Sequence, residues 1–228
     1  GMTYGGGTFN NYGTIFKITS AGVVTVLRQL NYAADGGYPY GDLTLGVDGN
    51  FYGLTSGGGT NTYGTIFKIT PTGTFTVLRH FNYAADGANP QGTLVLAADG
   101  NFYGITRRGG TTGWGTIFKI TPAGVYSVIK TLNGTTDGGY CYGSIAKAND
   151  GNFYGITYQG GTSTYGTIFK VTPAGVYTVL KNLSATDGRP LSNGLVQHTD
   201  GFLYGMTNIG GANGTGSIEL ERIGRSTL

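Results

Sequence analysis

The 228-residue chain has one cysteine, two histidines, two methionines, one tryptophan and only 11% charged residues. A single thiol, Cys141, excludes an internal disulfide and leaves no thiol cluster for a metal. Two histidines, His80 and His198, at unrelated positions and without nearby cysteine fall far short of a zinc signature. Acid is scarce as well: nine aspartates and two glutamates. No apolar run approaches the roughly 20 residues that cross a membrane as a helix, and no signal-peptide pattern is present. Serine-nucleophile motifs of the Gly-x-Ser-x-Gly kind are missing. The Gly-Gly runs lead into strands, whereas a phosphate cradle needs the N-terminus of a helix.

What the chain does have is glycine, 45 residues, and tyrosine, 17, arranged periodically. Gly-Thr-Ile-Phe-Lys occurs at Gly13, Gly64, Gly115 and Gly166, each copy 51 residues after the last, and a degraded copy starts at Gly216 after 50 more. A fixed period of this length means one supersecondary unit repeated, each burying its apolar faces against its neighbours. Residues 93–132 show the unit: an apolar strand from Thr93, an Asp99-Gly100 hairpin, a strand from Asn101, a Gly-rich loop, a strand from Gly115, the turn Thr121-Pro122-Ala123-Gly124, and a strand from Val125. β-Branched and aromatic residues dominate, and nothing has helical periodicity.

Four short antiparallel strands per unit predict an all-β fold, a β-propeller of about five four-stranded blades, with a four-bladed ring or a solenoid as alternatives. The expected blades are 1–31, 42–82, 93–133, 144–184 and 193–228, in one domain. The first lacks strand one and the last lacks strand four. The ring is expected to close through pairing of the tail, Gly224 to Leu228, with the N-terminal blade or with a neighbour's. Loops after strands one and three should be tight on one face, and loops after strands two and four long and aromatic on the other. Leu43, Leu94, Ile145 and Leu195 at the start of strand one predict an apolar or plugged central channel.

The order Asp-Gly-Asn-Phe-Tyr-Gly, a Gly-Gly loop and Gly-Thr-Ile-Phe-Lys-Ile-Thr-Pro resembles the bacterial tandem repeats called GloVer repeats, over essentially the whole chain. Those repeats occur in exported proteins with varied C-terminal surface anchors. The resemblance implies a propeller-like fold and an extracellular or cell-surface location, and carries no chemistry. The chain departs from the pattern by reaching Glu219-Leu220-Glu221-Arg222 with no anchor segment.

Eight of the nine aspartates repeat: Asp48, Asp99, Asp150 and Asp200 as turn formers, Asp35, Asp86, Asp137 and Asp187 as Asx-type caps of the long loops. Groups copied into every blade share one environment, whereas acid–base catalysis needs two environments. The chain therefore reads as no enzyme, with no cofactor and no metal site. Eight of the 14 basic residues also repeat, Lys17, Lys68, Lys119 and Lys170 with Arg28, Arg79, Lys130 and Lys181, and read as solvated or snorkelling rather than as a nucleic-acid track. The candidate ligand-binding residues are the aromatics before each third strand, Tyr12, Tyr63, Trp114 and Tyr165. A ring with polar neighbours in every blade is how a multivalent sugar site would look; the competing reading is that the rings fill clefts between blades. Tyr32 and Tyr83 are weaker candidates because Gly134 and Ala185 replace them later. Two functions follow: a structural, adhesive or self-assembling surface module, and a lectin with one site per blade. The expected partners are a second copy or glycans, with no nucleic acid and no membrane span.

Overall fold

The computed structural model describes residues 1–8, 11–190, 194–207, 209–210 and 217–222, the last for their backbone. Among these residues the chain forms five antiparallel sheets and no helix. The first sheet holds β1 (Met2–Thr3), β2 (Thr14–Ile18) and β3 (Val24–Gln29). The second holds β4 (Thr44–Leu45), β5 (Phe51–Thr55), β6 (Thr65–Ile69) and β7 (Phe75–His80). The third runs through β8 (Val95–Leu96), β9 (Phe102–Ile105), β10 (Thr116–Ile120) and β11 (Tyr126–Thr131). β12 (Ala146–Lys147), β13 (Phe153–Ile156), β14 (Thr167–Val171) and β15 (Tyr177–Asn182) make the fourth. The fifth has β16 (Val196–Gln197), β17 (Phe202–Thr207) and β18 (Ser217–Arg222). Every strand pairs with its sequence neighbour, so each sheet is one meander and one propeller blade. There are five blades rather than four. Among the described residues the first and last have three strands, in line with the repeat arithmetic. The tail at 224–228 lies outside the described residues.

One cross-strand pair fixes each blade. In the recurring Phe-Tyr-Gly, the glycine faces the phenylalanine of Gly-Thr-Ile-Phe: Gly53 opposite Phe67, Gly104 opposite Phe118, Gly155 opposite Phe169. A Cβ on Gly104 would lie 2.5 Å from Phe118 Cζ, and one on Gly53 or Gly155 2.4 Å from its ring. The missing side chain lets the ring lie flat across the neighbouring strand, and all three rings are fully buried. The tyrosine beside each glycine points the other way. Tyr52 stacks on Phe102 of the next blade at 4.1 Å, and Tyr103 on Phe153 at 4.3 Å. The core is therefore a series of aromatic seams between blades, not a single centre.

The same tyrosines explain the hairpin aspartates. Tyr52, Tyr103 and Tyr154 donate their hydroxyls back to Asp48, Asp99 and Asp150 at 2.7–2.9 Å. The amide N–H and side-chain amide of Asn50, Asn101 and Asn152 donate to the same carboxylates. The turn-former reading is correct, and the tyrosine bond was not legible because it spans the hairpin. The Asn50 side-chain bond, with that from Tyr52, holds Asp48 below the usual carboxylate range against the opposing effect of burial. At Asp99 and Asp150 burial pushes the carboxyl up, but the bonds from Asn101 and Tyr103, and from Asn152 and Tyr154, outweigh it and the net direction is down. Burial first, then the aspartate, pushes the Tyr103 phenol up to about 12 and Tyr52 and Tyr154 upward likewise.

Both shifts fix the pH response. A lowered carboxylate stabilises the fold above its unfolded value of about 3.9, and that contribution is lost as pH falls through the lower folded value. A raised phenol leaves stability intact below about 10 and removes it above, where the unfolded chain ionises first. The midpoint of thermal unfolding is expected to be flat between about pH 5 and 9 and to fall on both sides. Tyr103→Phe should lower the plateau by about 1 kcal/mol and soften the alkaline fall. A profile with no alkaline fall would contradict this account.

The start of strand one lies at the axis. Asp42 N–H donates to Thr93 Oγ1 at 2.9 Å, and Thr93 N–H to Ser144 Oγ at 2.7 Å, so blades two, three and four touch there directly. A Cβ on Gly41 would stand 2.3 Å from Gly92 O, and one on Gly92 2.6 Å from Gly143 O, which explains these glycines by close approach. Leu94, Ile145 and Leu195 are buried behind this layer.

Candidate functional site

The long loops after strand four cross to the next blade and are locked there by the second set of aspartates. Asp86 accepts Arg79 Nε at 3.0 Å, Arg79 Nη2 at 2.6 Å and the Asn82 N–H at 2.9 Å. Asp35 binds Arg28 and Asn31 in the same way, and Lys130–Asp137 and Lys181–Asp187 are the later ion pairs. The Asx turn itself is made by the asparagine, whose Oδ1 accepts from Ala33 and Ala34 at Asn31 and from Ala84 and Ala85 at Asn82. Two readings therefore need correction. The loop aspartates do more than cap backbone, and Arg28, Arg79, Lys130 and Lys181 are paired rather than merely solvated. The pairing recurs at a spacing of seven residues, six in the last copy, and that regularity was the available signal.

Each locked loop grips its neighbour. The Asp35, Asp86 and Asp137 carbonyls accept the Thr65, Thr116 and Thr167 hydroxyls of the following blade at 2.6–2.7 Å. Tyr126 and Tyr177 donate to the Asp86 and Asp137 carbonyls at 2.8 Å. Arg79 lies 5.0 Å over the Tyr126 ring and Lys130 4.9 Å over Tyr177. Bridges Gly37–Gly57, Ala88–Arg108, Gly139–Gln159 and Arg189–Ile209 complete the seams.

On this scaffold the four candidate aromatics occupy one position per blade, and all are half-buried. Each packs onto an inter-blade cluster. Tyr12 is covered by Tyr32 at 4.8 Å and Tyr38 at 5.6 Å, Tyr63 by Tyr83 at 5.3 Å, and Tyr165 by the Arg189 guanidinium at 5.1 Å. Trp114 is covered by Tyr140 at 4.7 Å, but Gly134 stands where Tyr32 and Tyr83 stand in the earlier blades, and the indole lies against its backbone. A cleft of ≈ 530 Å³ opens there, lined by Trp114, Thr135, Thr136, Gln159, Thr162 and Thr164 with the intervening glycines. The rings fill seams and one of them also floors an open cleft.

Sequence reasoning passed over a second group on the same face. Arg107 Nη2 donates to the Tyr142 hydroxyl at 2.6 Å, and its guanidinium covers the Tyr142 ring at 4.3 Å. Tyr142 meets Tyr158 edge-on at 5.1 Å, and Arg189 lies 5.2 Å from the Tyr158 ring. The residue types at these repeat positions change from blade to blade, Arg107 and Tyr158 being one position 51 residues apart, so a search for repeated motifs hid them. Elsewhere, His80 Nδ1 accepts the Thr60 N–H, and His198 pairs with Asp200. Cys141 is fully buried, and burial pushes its thiol well up.

Five meander blades joined by loop-mediated seams define the class, a β-propeller. The chain belongs to the Gloeobacter/Verrucomicrobia repeat family, whose match spans residues 1–219. No curated protein matches it by sequence. Among solved structures it is similar to the extracellular domain of a hybrid two-component system from B. thetaiotaomicron, at TM-score 0.57 and 14% identity over 91% of this chain and 25% of that one. It is also similar to the periplasmic gluconolactonase of Pseudomonas aeruginosa, at TM-score 0.57 and 14% identity over 100% of this chain and 69% of that one. A gluconolactonase of Xanthomonas campestris gives TM-score 0.52 and 14% identity over 92% and 69%. The chain thus spans a quarter of the first relative's length and about two thirds of the others', and at this identity the likeness concerns the fold. No helix among the described residues is long and apolar enough to cross a membrane.

Proposed function

We propose that the chain is a non-enzymatic, exported propeller module that associates with copies of itself and serves a structural or adhesive role at the cell surface. The observation that carries this reading is an unmatched apolar face. Phe16, Ile18, Val24 and Val26 share the side of the first blade that points away from the second. Ile18 is 60%, Val24 55% and Val26 50% exposed, while Ile69, Ile120 and Val171 at the repeat position of Ile18 are 0% exposed. The fifth blade shows the complementary face open: Val196 is 65% and Met206 54% exposed, where Leu54 and Ile105 are buried. Inside the chain such faces cover one another at every seam, so the last blade of one copy fits the first blade of the next. Contacts of this kind are heterologous and give rings or open chains. Between the first and second blades a further cleft of ≈ 520 Å³ exposes Leu43, Leu45 and Phe51. Large exposed apolar patches of this kind mark interaction sites.

The non-enzymatic part is supported by where the acids are used: the repeated aspartates are engaged in hairpin and loop bonds that hold the blades. Family membership and the likeness to an extracellular domain support export. Sedimentation across a hundredfold concentration range is expected to show growing assemblies, and Ile18→Asp with Val24→Asp to remain monomeric and folded. A wild-type chain that stays monomeric throughout would remove the self-association. Hydrolysis of gluconolactone lost on a single-blade substitution would remove the non-enzymatic reading.

The Trp114 cleft favours a second reading, a carbohydrate-binding propeller. An indole floor with threonine hydroxyls and a glutamine amide at its rim suits a sugar ring. Sites of this type in the first, second and fourth blades are covered by Tyr32, Tyr83 and Arg189, so among the described residues this reading rests on the Trp114 cleft rather than on one site per blade.

A further inference from the structure

We propose that the elaborated face binds an anionic saccharide, a uronate-bearing chain held by Arg107 and Arg189 with its adjoining sugar on Trp114. The proposal rests on the carbohydrate-binding reading and adds the charge of the ligand and the residues that select it.

Arg107, Arg108 and Arg189 are the arginines that lie outside the repeated positions and the C-terminal segment. All three leave strand ends or loops on the face that carries the long loops, and two of them hold seam bridges, Ala88–Arg108 and Arg189–Ile209. Among the described residues none of the three makes an ion pair with a carboxylate.

A second observation points to a ligand. The buried side-chain polar atoms left without a hydrogen-bond partner among the described residues are the Nε of Arg107 and the Nε of Arg189. Elsewhere arginine Nε donates to carboxylate, as Arg28 does to Asp35 and Arg79 to Asp86. The planar fork of Nε and Nη is the donor set that matches a carboxylate's two oxygens. Tyr142 and Tyr158 lie between the two guanidiniums and hold them by hydrogen bonding and ring contact, with Nη2 of Arg107 on the Tyr142 hydroxyl and Nη2 of Arg189 on the Thr164 carbonyl. A small shift of either guanidinium across its ring would present the Nε–Nη edge to an incoming carboxylate.

The cleft and the arginine row are continuous. Gln159 lines the cleft and follows Tyr158 in the chain, and Arg189 Nη2 donates to the carbonyl of Thr164, another cleft residue, at 3.3 Å. A short acidic saccharide can place one ring on the indole and its carboxylate towards the arginines. Three local charges and a compact cleft suit such a chain better than a nucleic-acid backbone, which calls for a longer basic track.

The test is calorimetric titration of the whole chain with oligogalacturonate, with its carboxyl-reduced neutral counterpart of the same length, and with single-stranded DNA. Oligogalacturonate is expected to bind at least tenfold tighter than the neutral chain, and more weakly as salt rises. Arg107→Gln with Arg189→Gln should remove that preference, while Trp114→Ala should weaken both saccharides. Thermal melting confirms that each variant is folded, and Arg107→Lys alone, which keeps charge but not the fork, should recover only part of the binding. Equal binding of the two saccharides overturns the charge selection and leaves the carbohydrate reading standing. No saccharide binding overturns both. Tighter binding of DNA than of oligogalacturonate overturns the proposal in favour of a nucleic-acid face.

Discussion

Phe118→Ala is expected to destabilise the chain by about 4 kcal/mol, the largest effect of any single substitution considered. The ring is fully buried, lies flat over Gly104, meets Phe81 at 5.6 Å and Tyr126 at 5.3 Å, and belongs to the seam between the second and third blades. Removing it opens a cavity that two rigid sheets cannot close. The partner glycine gives the complementary experiment. Gly104→Ala places a Cβ 2.5 Å from Phe118 Cζ, so either the ring or the strand must move, at about 2–3 kcal/mol. Combining Gly104→Ala with Phe118→Leu should cost less than the sum of the two single changes, because leucine vacates the space that the new methyl needs. Urea unfolding of the four proteins measures this. Strict additivity would show that the ring and the glycine do not act as one unit.

Asp86→Ala is expected to destabilise by about 2–3 kcal/mol, a little below the range for fully buried pairs because the Arg79 side chain is 41% exposed. The carboxylate is the acceptor for two guanidinium bonds and for the Asn82 N–H, so its loss leaves three donors without it and loosens the loop that receives Thr116 and Tyr126. Asp187→Ala should cost less, about 1–2 kcal/mol, since a single lysine replaces the two-pronged arginine there and the Ser184 N–H and hydroxyl are the other donors. A double cycle of Arg79→Ala and Asp86→Ala measures the coupling directly. Equal losses at Asp86 and Asp187 would show that the fork contributes nothing.

Several features were readable from residues alone because each repeats and depends on short-range chemistry. The 51-residue spacing, the Asp-Gly hairpins and the Thr-Pro-x-Gly turns give the strand order and the five-blade count. Short turns force sequence neighbours to pair, so the meander follows from local geometry.

What only the tertiary structure decided lies between blades, where residues about 20 to 50 positions apart meet. Which ring floors an open cleft depends on whether the following loop carries Tyr32, Tyr83 or Gly134, and that contrast acquires meaning only when the loop is seen folded against the indole. Arg107 and Tyr158 occupy one repeat position, 51 residues apart, but the residue type there changes from blade to blade, as it does at Tyr142 and Arg189, so a search for repeated motifs discards them, yet inter-blade packing sets them in one row. Exposure is decided the same way. Ile18 and Ile69 are the same residue in the same motif, one open and one fully buried, because a preceding blade covers only the second. Periodicity sets the shape of each blade through local turns and pairing, whereas burial and binding depend on what stands next to it.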